Sequence, residues 1–163
     1  ILNSPACRLS RKVENIKEAI VYLGIAQLKK WTLLILLSSS TEHHIELIRI
    51  LLTRARACER FAEMSNLPDT EKYFMAGLLS GVDLLLQVDK AVAMAQISLG
   101  ADLQKAILLH EGVIGKTLDN VFDIEGSHWS PLGKLPMQDR RKIFIAHFEG
   151  GLWAHDTLKA LED

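Results

Sequence analysis

Six histidines, two cysteines and twenty carboxylates are the groups in this 163-residue chain that could hold a metal ion or move a proton. Metal-assisted hydrolysis needs several of them to converge, with imidazole and carboxylate ligands around one ion and an open position for water. The literal His-Asp pair, His155-Asp156, lies in the last helical stretch without an apolar lead-in or a companion histidine, and reads as an exposed pair near a helix end. His43 and His44 are adjacent, so on a helix they point about 100 degrees apart, whereas a two-ligand face needs an i, i+4 spacing. His128 stands beside Trp129 in a glycine-containing loop and His147 on a helix shortly before Glu149; both read as packed or solvated side chains. His110-Glu111 closes the apolar run Ala106-Ile107-Leu108-Leu109, where a protonated imidazole suits the negative end of a helix and where a side chain can also turn back toward the interior.

The cysteines, Cys7 and Cys58, are far apart and belong to no ligand-like spacing, which fits a reducing compartment. Cys58 falls on an apolar helix face and reads as a small buried hydrophobe. No GxxxxGK[ST] phosphate loop and no GxSxG nucleophile elbow occur.

Helices must position these groups, because apolar residues recur at three- and four-residue steps and no convincing strand pattern appears. Asn15 with Glu18 forms a capping-box signal for a helix that ends near Gly24, and a second helix covers 25–37. After Ser38-Ser39-Ser40-Thr41 a long amphipathic helix is expected from about Glu42 to Asn66. Its apolar set includes Ile45, Ile48, Leu51, Leu52, Ala55, Cys58, Phe61 and Ala62, with Arg49, Arg54, Arg56, Glu59 and Glu63 turned to water. Leu67-Pro68-Asp69 stops it, and Asp69 or Thr70 caps the helix that carries Tyr73 to Leu79. Further helices are expected near 88–96, 101–110 and 112–124. Beyond a loop holding Pro131, Gly133 and Pro136, two more are expected at 137–149 and 151–161.

The bulk composition narrows the classes. With 48% hydrophobic and 24% charged residues the chain is an ordered globular domain, and a net charge of -1 gives no field that would gather nucleic acid. Its longest apolar run, Trp31 to Leu37, is far below the roughly 20 residues of a membrane span. Neither a nucleic-acid nor a membrane partner is expected.

The segments Ile1-Leu2-Asn3-Ser4-Pro5-Ala6, Ile16-Lys17-Glu18-Ala19-Ile20-Val21-Tyr22-Leu23-Gly24 and Leu28-Lys29-Lys30-Trp31 resemble the opening motifs of the HDOD family. Ala76-Gly77-Leu78-Leu79-Ser80, Leu109-His110-Glu111-Gly112-Val113-Ile114-Gly115 and Glu125-Gly126-Ser127-His128-Trp129 resemble the half found where an HDOD domain follows an EAL domain. The resemblance covers nearly the whole chain. It implies an all-α, HD-domain-like helical bundle in which residues 1–163 form one domain, the C-terminal portion of a longer protein. The helices that usually precede the Asn-Ser segment are then missing.

HDOD domains are similar in fold to HD and HD-GYP phosphohydrolases, whose His-Asp pair follows an apolar run such as Ala76 to Leu79. By that resemblance Ser80 takes the His position and Gly81 the Asp position. Gly81 supplies no side-chain ligand and Ser80 only a neutral oxygen. Asp83 does not replace Gly81, because two positions along a helix rotate a side chain by about 200 degrees. His110-Glu111 takes the place of the HD-GYP His-His-Glu segment, without the Gly-Tyr-Pro triplet. Ser80, Gly81, Asp83, His110 and Glu111 are thus the remains of a metal site, with no catalytic residue, metal or cofactor expected.

The resemblance implies a noncatalytic, cytoplasmic regulatory domain of bacterial signal transduction, attached to an upstream EAL domain that hydrolyses or senses cyclic di-GMP. It would signal by repacking the helix at 25–37, with Trp31, Leu34 and Leu37 meeting a protein partner, the EAL domain in cis or a second copy. Two other readings remain. One is a residual metal phosphohydrolase using His110, Glu111 and Asp83, and the other is a small-ligand sensor with a pocket bordered by Ser80, Asp83 and His110.

Overall fold

A computed structural model describes residues 45–96 and 99–162, and every regular element among them is a helix. The two helices expected before residue 38, together with Cys7, Trp31, Leu34, Leu37, His43 and His44, lie outside the described residues. Among the described residues no helix is long and apolar enough to cross a membrane.

Helix α1 (Ile45–Met64) is the central element. Ile48, Leu51, Leu52, Ala55, Cys58, Phe61 and Ala62 are buried along it, the stripe expected from their spacing. It ends in a Schellman turn: Asn66 takes a left-handed conformation (φ 51°), Leu67 N–H donates to Ala62 O at 2.9 Å and Asn66 N–H to Glu63 O at 3.1 Å. Asp69 occupies the N-cap of α2 (Thr70–Leu79), but its side chain makes no cap bond and pairs with Lys72 Nζ at 2.7 Å instead.

Helix α2 lies so close to α1 that a Cβ on Gly77 would sit 2.6 Å from Ala55 Cα. This is the physical reason for a glycine inside the apolar run. The helix then breaks at Ser80-Gly81, and two short helices follow, α3 (Val82–Leu86) and α4 (Lys90–Gln96). Asp89 starts α4 by accepting from Ala91 N–H at 2.8 Å. Helices α5 (Ala101–Leu109) and α6 (Gly112–Glu125) follow, then the single turn α7 (Trp129–Gly133), placed where a loop was expected.

The last helix, α8 (Met137–Glu162), corrects another expectation, since it runs unbroken through Gly150-Gly151. Gly150 is buried where α8 crosses α1, and a Cβ there would lie 2.7 Å from Thr53 O. The glycine serves a close helix crossing rather than a turn. Helix α1 is thereby packed between α8 and α2. Phe74 of α2 and Trp153 of α8 meet edge to face at 6.0 Å around α1's buried Ile48, Leu51 and Leu52.

Candidate functional site

The turn Ser80-Gly81 at the end of α2 faces α1, and α1 fills the space before it. Ser80 is buried; its Oγ donates to Gly77 O at 2.7 Å and accepts from Arg54 Nη1 at 3.3 Å. A Cβ on Gly81 would lie 2.7 Å from Leu51 Cδ2 and 3.5 Å from Arg54 Nη1. The two positions that the resemblance assigns to metal ligands are therefore closed by a leucine methyl and a guanidinium.

Arg54 is the hub of this region. Its Nε donates to both oxygens of Glu125 at the end of α6, at 2.7 and 3.0 Å, and its guanidinium carbon stands 4.6 Å from the centre of the Phe122 ring. The Arg54 and Glu125 side chains are only 17% and 20% exposed, so this ion pair is held largely away from water. Burial pushes the Glu125 carboxyl above its ordinary value, and the adjacent guanidinium opposes that rise.

His110 reaches the same cluster from the other side of Phe122, with ring centres 5.6 Å apart. It sits in the left-handed region (φ 57°) as the C-cap of α5, its backbone N–H donating to Lys105 O, and its Nδ1 is paired with Asp119. The structure thus brings Ser80, Gly81 and His110 around one arginine and one phenylalanine, but not as ligands to a common point. Asp83 and Glu111 do not join them. Asp83 lies 3.7 Å from Lys90, and Glu111 is an exposed N-cap beside Asp102 and Lys105. Among the described residues no group of three His, Cys, Asp or Glu side chains could hold a metal ion. Among the described residues, those at the positions the resemblance assigns to a metal centre do not fit one.

Other histidines fall as their spacing suggested. His155 and Asp156 are exposed on α8, and His128 is exposed beside Asp123 at 3.5 Å. Cys58 is buried, and burial drives its thiol far above the ordinary value. His147 differs: it is half-buried, its Nε2 has no hydrogen-bond partner, and burial lowers its pKa. It lines a cleft of 660 Å³ between α1, α6 and α8 together with Arg49, Ile50, Thr53, Arg54, Phe122 and Glu125. This cleft is lined by none of Ser80, Asp83 and His110, the residues expected to border a pocket.

A second feature is an exposed apolar stripe on α8. Phe144, Phe148 and Leu152 recur at four-residue steps with Ile145 beside them, and Trp129 of α7 stacks on Phe144 at 6.0 Å. Phe148 is 67% exposed. A contiguous patch of this kind is characteristic of a contact surface.

The described residues form an all-helical bundle, the class of fold that the resemblance implied. The chain belongs to the HDOD domain family, whose model matches residues 1–111, a span that contains Arg54, Ser80, Gly81 and His110. It is 30% identical over 166 residues to the uncharacterized protein YuxH of Bacillus subtilis (strain 168), a match covering 98% of this chain and 40% of that protein. It is 28% identical over 163 residues to the cyclic di-GMP phosphodiesterase CdgJ of Vibrio cholerae serotype O1, covering 95% of this chain and 37% of that protein. The chain spans about two fifths of the length of these curated relatives. No solved structure matches it significantly.

Proposed function

We propose that this chain is a noncatalytic, cytoplasmic regulatory domain of bacterial signal transduction, carried behind an EAL domain and acting on it through direct contact. The observation that carries the reading is Arg54, whose guanidinium, bound to Ser80 and Glu125, stands against the Ser80-Gly81 turn. A fixed organic cation there favours a rigid packing element over a centre that activates water. Similarity to CdgJ, described as a cyclic di-GMP phosphodiesterase, supports the signalling context. The remaining three fifths of such relatives leaves length for a catalytic domain elsewhere in the protein.

The contact surface in this reading is the α8 stripe of Phe144, Ile145, Phe148 and Leu152, and its occupant is the EAL domain of the same protein. Signalling then requires two arrangements of the domains that an effector stabilises unequally. The test uses the complete protein encoded by the reading frame. Removing this domain, or introducing Phe148→Asp, should change cyclic di-GMP hydrolysis severalfold with the EAL fold intact. Unchanged turnover in both would refute the proposal.

The residual phosphohydrolase reading has less support, because among the described residues no group of three His, Cys, Asp or Glu side chains could hold a metal ion. The small-ligand reading, placed beside Ser80, Asp83 and His110, gains no support there, since Leu51 and Arg54 fill the space at the Ser80-Gly81 turn and none of the three residues lines the cleft.

A further inference from the structure

We infer that the cleft between α1, α6 and α8 binds the oxyanion head of a small molecule that carries an apolar body. The inference does not depend on which domain covers α8. It rests on an imbalance in the cleft walls between donors and free acceptors. Arg49 Nε and His147 Nε2 are both shielded from solvent and have no hydrogen-bond partner. Buried polar groups are normally satisfied, so two unpartnered nitrogens in the wall of one cleft call for a ligand oxygen. Among the described residues Arg49, whose side chain is 40% exposed, is tied to Glu46 at 3.4 Å, a side chain 76% exposed.

Among the described residues that line the cleft, the carboxylate is Glu125. Both Glu125 oxygens receive the Arg54 Nε–H, so among the described lining residues the carboxylate is paired with Arg54 and not with Arg49 or His147. An oxyanion would meet charge-assisted donors from Arg49 and His147. Ile50 and Phe122 supply the apolar part of the wall, and 660 Å³ falls in the roughly 300–1,000 Å³ range of small-molecule sites.

Binding should also draw a proton. Burial favours the neutral His147 ring in the free protein, and an anion at Nε2 favours the charged ring, so affinity rises as pH falls. The charged groups lining the cleft with it are Arg49 and Arg54 of α1 and Glu125 of α6. His147→Gln separates the histidine's share of the pH dependence from that of Glu125.

The test follows the Arg49 side-chain N–H and the His147 ring by NMR in the 163-residue chain, while sulfate or benzenesulfonate is added. Neither anion titrates near neutrality. Both should shift the two signals, with benzenesulfonate binding more tightly. Arg49→Ala should weaken benzenesulfonate by about tenfold, the loss of one charge-assisted contact. Arg49→Lys should retain part of the affinity, and His147→Gln should flatten the pH dependence. Met137→Ser, at an exposed position outside the cleft, should bind as the parent does. The inference is overturned if neither anion moves the two signals, or if Arg49→Ala and His147→Gln, folded by their urea midpoints, bind both anions as the parent does.

Discussion

Arg54 on α1 donates through Nε to both carboxylate oxygens of Glu125 on α6, residues 71 positions apart that meet beside the Ser80-Gly81 turn. Each side chain is more than three-quarters buried, so either one alone would be a charge left in a poorly solvated place. Arg54→Ala is accordingly expected to destabilise the fold by about 3 kcal/mol, as for other ion pairs removed from water and broken on one side. Arg54→Ala with Glu125→Ala should cost less than the sum of the two single changes. Urea unfolding of the four proteins measures this coupling, and simple additivity would show that the pair is not a unit.

Glycines 77 and 81 lie four residues apart and face different obstacles. A methyl at Gly77 meets the backbone of Arg54 and Ala55, which cannot yield without moving α1, whereas one at Gly81 meets the terminal methyl of Leu51. Gly77→Ala should cost about 3 kcal/mol or more, and Gly81→Ala only about 1 kcal/mol. Leu51→Val should make Gly81→Ala milder and leave the cost of Gly77→Ala unchanged. Denaturant midpoints of these variants give the ranking, and a reversed order would contradict the packing described.

His110 can be tested as a cap rather than a ligand. It holds a left-handed conformation that glycine adopts freely and alanine does not. Its pairing with Asp119 is between side chains roughly a third to a half exposed and adds little. His110→Ala should therefore lose about 1 kcal/mol, and His110→Gly should remain close to the parent. Equal losses in thermal unfolding would point to an essential imidazole instead.

Stability should depend on pH through His147. Burial lowers its pKa in the folded chain, so its contribution is fully present above the unfolded value of 6.5 and is lost as pH falls through the lowered value. The charges around it, Arg49, Arg54 and Glu125, stay in place in a His147→Gln variant. That variant should show a flatter stability curve below pH 6.5 than the parent, read from urea midpoints across that range. Parallel curves would mean that the ring does not titrate in a buried setting.

Much of the fold was legible because apolar spacing alone marks α1, α2, α5 and α6. The stop before Pro68 also followed from residue type, although the helix ends at Met64 and not at Asn66. Gly150-Gly151 read as a break because glycine usually ends a helix, but the close crossing of α1 makes the absence of a side chain an advantage there. Ser80 and Gly81 were legible as poor ligands. Arg54 was not legible as their occupant, since a charged residue on an amphipathic helix is assigned to water by default. The signal was its spacing: three residues after Leu51 and four before Cys58, it lies on the buried stripe. Glu125, at the end of an apolar helix, carried no local sign of its partner, because that pairing exists only once α1 and α6 meet.

In the proposed reading an arginine network, and not a metal, stands at the Ser80-Gly81 turn. Elemental analysis of the purified chain after incubation with Mn, Fe or Zn tests this most directly. The expected result is far less than one equivalent of any of them, unchanged by His110→Ala. Stoichiometric metal that disappears in His110→Ala would contradict it.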